Sequence, residues 1–179
     1  MVITDLAKDY DDLTAMVVLK ELHRLGFVRL EAFIANLEPS RKRAIYGRVS
    51  LDSIGLQDVP IGVGTKASTK KHEEYKYEFD SPLMPDEETF QPNKDNFFED
   101  GSELLDLVFN RAIDEDRKVN FLLISSLTDI AEYTHTEERL KTFQKAKQSG
   151  ESICKADILF PPRTFPPHEM TWPTTRPTC

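Results

Sequence analysis

The chain has 179 residues, of which 39% are hydrophobic and 30% charged, so it is expected to form one domain with a packed core rather than a disordered chain. Its 31 acidic and 23 basic residues give a formal net charge of -8 at pH 7, and no basic stripe favours nucleic acid as a partner. No apolar run approaches the ~18 residues that cross a bilayer, and the N-terminus lacks the features of a signal peptide. Two isolated cysteines predict neither a disulfide framework nor a zinc site. We therefore expect a soluble, cytoplasmic protein without nucleic-acid or membrane partners.

Short apolar runs alternate along the chain with segments of helical pattern. The runs that are typical of buried strands are residues 2–4, 28–35, 59–63 and 119–124. The helical segments are residues 13–25, which are apolar on nearly every face, residues 40–55 and 102–114, and a segment that begins at 125–129. Gly26 is expected at a C-cap and Ser40 at an N-cap. This alternation predicts an α/β fold with a mainly parallel sheet.

Two polar segments stand apart from this pattern. Residues 66–100 form a stretch rich in Lys, Glu, Asp and Pro, and a loop of that length is uncommon unless it is functional or mobile. The basic run Arg41-Lys42-Arg43 stands at the start of the second helix, where we interpret it as a solvated face.

Four carboxylates follow the first strand within eight residues: Asp5, Asp9, Asp11 and Asp12. Helix capping explains one or two of them, but four anions repel one another unless a cation offsets the charge. Their oxygen ligands suit a hard ion such as Ca²⁺ or Mg²⁺. In a parallel sheet, ligands bind at the carboxyl ends of the strands, and Asn36 and residues 125–129 fall at that same edge. A metal site and a solvated acidic loop both remain open from the residues alone.

Four blocks of the sequence together resemble the inosine/uridine-preferring nucleoside hydrolases. Residues 2–13 contain V-I-T-D and Y-D-D-L, similar to the family's strand that ends in D-x-D-P-G-x-D-D. Residues 33–36 read F-I-A-N, 55–61 read G-L-Q-D-V-P-I and 126–131 read S-L-T-D-I-A, each similar to a family block. The blocks occur in the family's order across residues 1 to about 141. The resemblance implies a Rossmann-like nucleoside hydrolase fold whose C-terminal part is missing here.

The resemblance also implies roles for individual residues at the carboxyl edge. Asp12 matches a calcium ligand, and Ile124 falls where a backbone carbonyl ligates the same ion. Asp11 matches the carboxylate that holds the ribose hydroxyls, and Asn36 matches a polar residue on the sugar side. These four positions would therefore hold Ca²⁺ and a nucleoside together.

One departure from the family pattern affects the general base. In a gapless match Asp5 takes the first Asp of D-x-D, as a catalytic residue and calcium ligand, but Ala7 takes the second. That second Asp normally binds calcium and accepts a proton from the attacking water. We hypothesise that Asp9, the nearest other carboxylate, replaces it in both roles.

The implied activity is hydrolysis of the N-glycosidic bond of purine or pyrimidine ribonucleosides, a step in nucleoside catabolism and purine salvage. Members of the family are often homo-oligomers. Two alternatives stay open: an inactive α/β fragment that binds only a metal or a partner, and a Mg²⁺-dependent phosphotransferase of the dehalogenase-like class. Ala7 and the match at residues 55–61 count against the phosphotransferase.

The tail after residue 141 departs from the α/β pattern. Residues 142–179 hold most of the prolines, both cysteines and the only tryptophan. The codons of residues 170–175 and 154–158, read from each third base, permit Asp-Met-Ala-Asn-Asn and Gln-Gly-Gly-Tyr, which resemble the blocks that come next in the family. We therefore expect an incomplete hydrolase-like domain at residues 1–141 and an aberrant, disordered, out-of-frame tail at 142–179, with a genuine lineage-specific tail as the alternative.

Overall fold

A computed structural model describes residues 1–69, 71–82, 84–147 and 153–154. It contains one parallel sheet of six short strands in the order β4-β3-β2-β1-β5-β6, with helices on both faces. In chain order the elements are β1 (Val2–Thr4), α1 (Asp11–Arg24), β2 (Phe33–Ala35), α2 (Ser40–Ser53), β3 (Ile61–Val63), β4 (Phe97–Phe98), α3 (Gly101–Asp114), β5 (Leu122–Leu123), α4 (Thr128–Tyr133), α5 (Glu137–Ala146) and β6 (Ile153–Cys154). The expected Rossmann-like α/β fold is confirmed.

The sheet separates two hydrophobic cores because successive side chains of a strand point to opposite faces. Val2 and Phe33 pack on one face, in the core that includes residues of α1 and α2. Ile3 and Ile34 pack on the other face, against buried residues of α3 such as Leu104. Strands β1 and β2 are therefore buried on both sides, as strands inside a parallel sheet require.

Several helix and strand boundaries in the structure differ from those that the sequence predicts. The second and fourth expected strands shrink to Phe33–Ala35 and Leu122–Leu123, and Val28 is exposed rather than paired. Ser40 lies inside α2, whose N-cap is Pro39, so the expected Ser40 cap is wrong. Gly26 follows the C-cap of α1 with a φ of 78°, which glycine adopts without strain.

Helix α1 is less buried than its apolar sequence suggests. Only Asp12 and Met16 are fully buried in it, while Val17 and Val18 are 53% and 52% exposed. A cavity of about 770 Å³ lies between the helix and the chain around β5, lined by apolar side chains from both. The helix therefore contacts the sheet along a narrow stripe.

The long polar stretch contains more structure than its sequence indicates. Phe97–Phe98 form β4, which pairs with β3, and both Glu78 and Phe79 are buried. A two-residue strand is too short to show a period of two, so no sequence pattern predicts it.

The expected boundary at residue 141 falls inside helix α5, which runs to Ala146. Beyond it Val119 forms a parallel bridge with Lys147, and β6 pairs with β5. The α/β order therefore extends past that boundary. The rest of the expected aberrant tail, residues 148–152 and 155–179, lies outside the described residues.

Among the helices that the structure describes, none is long and apolar enough to cross a bilayer.

Helix α3 approaches β3 closely through two glycines. A Cβ added at Gly101 would lie 2.7 Å from the carbonyl oxygen of Val63, and one at Gly62 would lie 3.0 Å from the Cα of Gly101. We expect Gly101→Ala to lower the free energy of unfolding by about 1–3 kcal/mol, because the helix must move away from the strand. Urea denaturation measures this loss. Asn110→Ala on the exposed side of the same helix is the control and should change stability by less than about 0.5 kcal/mol.

Candidate metal and sugar site

The acidic loop, residues 5–12, brings three carboxylates together at the carboxyl end of β1. Asp9, Asp11 and Asp12 each offer an oxygen atom, and these atoms all lie within 4.8 Å of one another. Asp12 is buried, whereas Asp11 is exposed. The loop thus places three of the four carboxylates of the sequence cluster where one ion could contact them all.

Local geometry explains why these side chains converge. The N–H group of Lys8 donates to the carbonyl of Asp5 at 3.1 Å, and Ala7 has a φ of 71°, so the chain turns sharply after β1. Helix α1 begins at Asp11, which places Asp11 and Asp12 in its first turn, where the helix dipole favours negative charge. Capping accounts for part of this arrangement: the N-cap residue forms no side-chain capping bond, but Oδ1 of Asp11 accepts a 3.1 Å hydrogen bond from the backbone N–H of Asp12.

Thr4 fixes the buried carboxylate of the loop. Its hydroxyl donates to Oδ1 of Asp12 at 2.6 Å, and both side chains are 1% exposed. A charge-assisted hydrogen bond of this kind stabilises an ionised carboxylate inside the protein. The loop therefore holds Asp12 in one orientation.

Asp5 is set differently from the other three carboxylates. Its Oδ2 pairs with the ammonium of Lys8 at 3.0 Å, and it does not belong to the group of three. Within the described part of the chain, Oδ1 of Asp5 and Oδ1 of Asp9 are buried atoms that no hydrogen-bond donor contacts. A buried acceptor without a donor costs about 1–3 kcal/mol, which a bound cation would offset. The donor set, all oxygen and mostly anionic, fits a hard divalent ion.

Asn36 ties the end of β2 to the end of β5. It is fully buried, and its Nδ2 donates to the carbonyl of Ser126 at 3.0 Å and to Oδ2 of Asp129 at 2.6 Å. The hydroxyl of Ser125 donates to its Oδ1. The protein itself engages both ends of this amide, so the proposed sugar contact would need the second lone pair of Oδ1.

Asp129 is a site residue to which the sequence assigned no role. It is 5% exposed, and its Oδ1 accepts a 2.7 Å hydrogen bond from the backbone N–H of Thr65. A Cβ at Gly64 would lie 2.6 Å from the same oxygen, so only glycine fits there without a shift. The sequence signal for Asp129 is its position in the S-L-T-D block, where the pattern of the nucleoside hydrolases that the chain resembles has Asn.

Two predicted features of the edge have different outcomes. Ile124 lies at the carboxyl end of β5, where its N–H group donates to the carbonyl of Ile3 at 3.0 Å, and its role as a carbonyl ligand stays a prediction. The interpretation of Arg43 as solvated is wrong, because its side chain is fully buried. Arg41 and Lys42 do remain partly exposed, in ion pairs with surface carboxylates.

The cavities near the site differ in character. The cavity of about 770 Å³ beside α1 is mainly apolar and touches the acidic loop only at Asp11. A cavity of about 440 Å³ has Asp129 in its wall; it is more polar and is also lined by Thr65, Asp100 and Arg139, among others. The acidic loop opens on a smaller pocket shared with Tyr10 and Tyr77.

Comparison with known proteins assigns no family to the chain. No protein-family model matches it, and neither the curated proteins nor the solved structures contain a match. The functional argument therefore depends on the residues of the site and their geometry.

The hydrogen bond between Asn36 and Asp129 predicts that the stability of an Asn36→Asp variant depends on pH. In Asn36→Asp two carboxylates would meet at hydrogen-bond distance, which raises the pKa of the pair in the folded state. The folded variant then binds more protons than the unfolded chain, so its stability falls as pH rises. We expect a loss of roughly 3 kcal/mol at pH 7.5 that shrinks as pH is lowered toward about 4.

Urea denaturation of wild type and variant at pH 7.5 and pH 5 measures this difference. Asn110→Asp makes the same change on an exposed surface and should be nearly neutral at both pH values. A loss in Asn36→Asp that is equal at the two pH values would contradict the electrostatic explanation.

Proposed function

We propose that this chain carries the calcium-binding and ribose-binding part of a nucleoside N-ribohydrolase. The observation that carries the proposal is the convergence of the Asp9, Asp11 and Asp12 carboxylates within 4.8 Å at the carboxyl edge of the sheet. A cation, and not only solvent, is favoured there because three anions at this spacing repel one another. The buried Oδ1 of Asp9, which no described donor contacts, supports the same conclusion.

The residues divide into those that would hold the ion and those that would hold the sugar. Asp12 and Asp9, with Asp5 and the carbonyl of Ile124 as further candidates, supply oxygens of the kind that Ca²⁺ prefers. Calcium bound there would acidify and orient a water molecule. Asp11 would bind the ribose hydroxyls, and Asn36 would be a polar residue on the sugar side.

The chain's own residues would transfer a proton and stabilise the positive charge of the transition state. Asp9 would accept a proton from the attacking water, because Ala7 stands where the family pattern has the Asp with that role. The transition state of N-glycosidic cleavage has oxocarbenium character, so the surrounding carboxylates would stabilise its positive charge. Asp5, paired with Lys8, would contribute to this field rather than act alone.

Two other functions remain as outcomes of the same experiments. A Mg²⁺-dependent phosphotransferase would use Asp5 directly after β1, and an inactive fragment would bind the ion without turnover. Release of phosphate from p-nitrophenyl phosphate with Mg²⁺ would favour the first. Cation binding with neither nucleoside nor phosphate-ester cleavage would favour the second.

We expect the chain to bind calcium weakly. It offers three converging carboxylates, whereas Ca²⁺ takes about 6–8 oxygens, so the dissociation constant should be on the order of 10⁻⁴–10⁻³ M. Isothermal calorimetry measures it, and Asp12→Asn should weaken binding at least about tenfold by removing the buried ligand. Asp114→Asn, the same charge change at an exposed position of α3, should leave it unchanged. Sub-micromolar binding by this chain would show that more ligands converge than we propose.

We expect negligible nucleoside hydrolysis by the 179-residue chain. Holding the water, the ion and the ribose together accounts for roughly 7–11 kcal/mol of such a barrier, and the sequence supplies only part of those contacts. A chain whose residues after Thr142 follow the alternate frame should cleave inosine or uridine in the presence of calcium. In it, Asp11→Ala and Asp12→Ala should each abolish turnover, and Asp9→Ala tests the substitute base. Ordinary turnover by the 179-residue chain would refute the argument about its tail.

A further inference from the structure

Arg43 is a fully buried arginine that joins three loops at the carboxyl edge of the sheet. Its Nε donates to the carbonyl of Leu37 at 3.0 Å, directly after β2. Its Nη1 donates to the carbonyl of Leu6 at 2.8 Å and to that of Asp5 at 3.4 Å, inside the acidic loop. The planar guanidinium thus fixes the direction of two chain segments at once.

Glu78 supplies the charge that allows this arginine to be buried. Its Oε2 accepts from Nη2 of Arg43 at 2.6 Å, and both side chains are fully shielded from solvent. Burial opposes ionisation of Glu78, but hydrogen bonds from the Tyr75 N–H group, His72 and Arg43 outweigh it and lower its pKa. The pair is therefore satisfied on both sides, as a buried ion pair must be.

The backbone is unusual at the three places that Arg43 touches. Ala7, Leu37 and Phe79 have φ values of 71°, 71° and 61°. Each is either a residue that Arg43 contacts or the next residue along the chain. A residue with a Cβ adopts positive φ only where surrounding contacts hold it there. One buried cation provides such contacts for all three segments.

We propose that Arg43 is the positioning residue of the acidic loop. By holding the carbonyls of Asp5 and Leu6 it sets the turn at Ala7, and this turn aims Asp9 toward Asp11 and Asp12. The inference rests on the proposed function in that the acidic loop is taken as the cation site. Arg43 itself contacts no ligand in this arrangement; it acts through the backbone of the loop.

Arg48 provides a matched control on the same helix. It is also buried, at 2% exposure, and also donates to backbone carbonyls, those of Leu56 at 2.9 Å and Val59 at 2.6 Å. These carbonyls precede β3, at the opposite end of the sheet from the acidic loop. Arg43→Lys and Arg48→Lys therefore each keep a positive charge and remove a buried guanidinium fork.

The experiment measures amide hydrogen exchange of the acidic loop, residues 5–12, together with Tb³⁺ luminescence as a probe of cation binding. In Arg43→Lys we expect exchange in the acidic loop to be at least about tenfold faster and Tb³⁺ affinity at least about tenfold lower. In Arg48→Lys the exchange of the acidic loop, which opens locally without global unfolding, and the Tb³⁺ affinity should both stay within about twofold of the wild type. Equal effects of the two variants, or an unchanged loop in Arg43→Lys, would overturn the proposal.

A second pair of variants covers the case in which Arg43→Lys does not fold. Glu78→Gln leaves Arg43 in place but removes its counterion, and Glu74→Gln makes the same change in the exposed Lys42–Glu74 pair. Only Glu78→Gln should accelerate exchange in the acidic loop, and equal rates would count against the inference. If the wild type binds no Tb³⁺, the proposed cation site is wrong, while the exchange rates still decide whether Arg43 positions the loop.

Discussion

The register of the parallel strands is the constraint on which the candidate site depends. Thr4 pairs with Ala35, and the ladder continues past both strands because Asn36 donates to the carbonyl of Thr4 and Gly64 to that of Ala35. Consecutive strands therefore end at the same level, and the polar residues that follow each one meet at a single edge. A slip of one residue would turn every side chain to the opposite face of the sheet and separate them.

The polar groups at that edge of the sheet are arranged in two different ways. Around Asn36 and Asp129 the protein satisfies its polar groups internally, with short hydrogen bonds and close backbone approach at Gly64. In the acidic loop it concentrates carboxylates, and no described donor contacts Oδ1 of Asp5 or Oδ1 of Asp9. The first arrangement makes the edge rigid, and the second concentrates negative charge there. A rigid frame beside a concentrated charge is the arrangement that pre-organised ion sites use.

The features that could be predicted from the sequence are those encoded by neighbouring residues. Strand β1, the helices that follow the strands and the acidic cluster all have patterns within a window of about fifteen residues. Arg43 could not be predicted in this way, because its basic neighbours suggest a solvated face and its counterion Glu78 is far along the chain. The same applies to β4, whose two residues become a strand only beside β3. Burial of charge is a long-range property, and local composition does not report it.

The narrow contact of α1 with the sheet has an entropic consequence for the acidic loop. The first turn of this helix carries Asp11 and Asp12, while Val17 and Val18, one to two turns later, have little to pack against. The carboxylates at one end of the helix are therefore attached to an element that packs on the core along one side, through Met16 and the partly buried Leu13, Ala15 and Leu19, so its motion is restrained on that side alone. Any ion held by these carboxylates must first restrict that motion, and the free energy spent on ordering the helix is subtracted from its affinity.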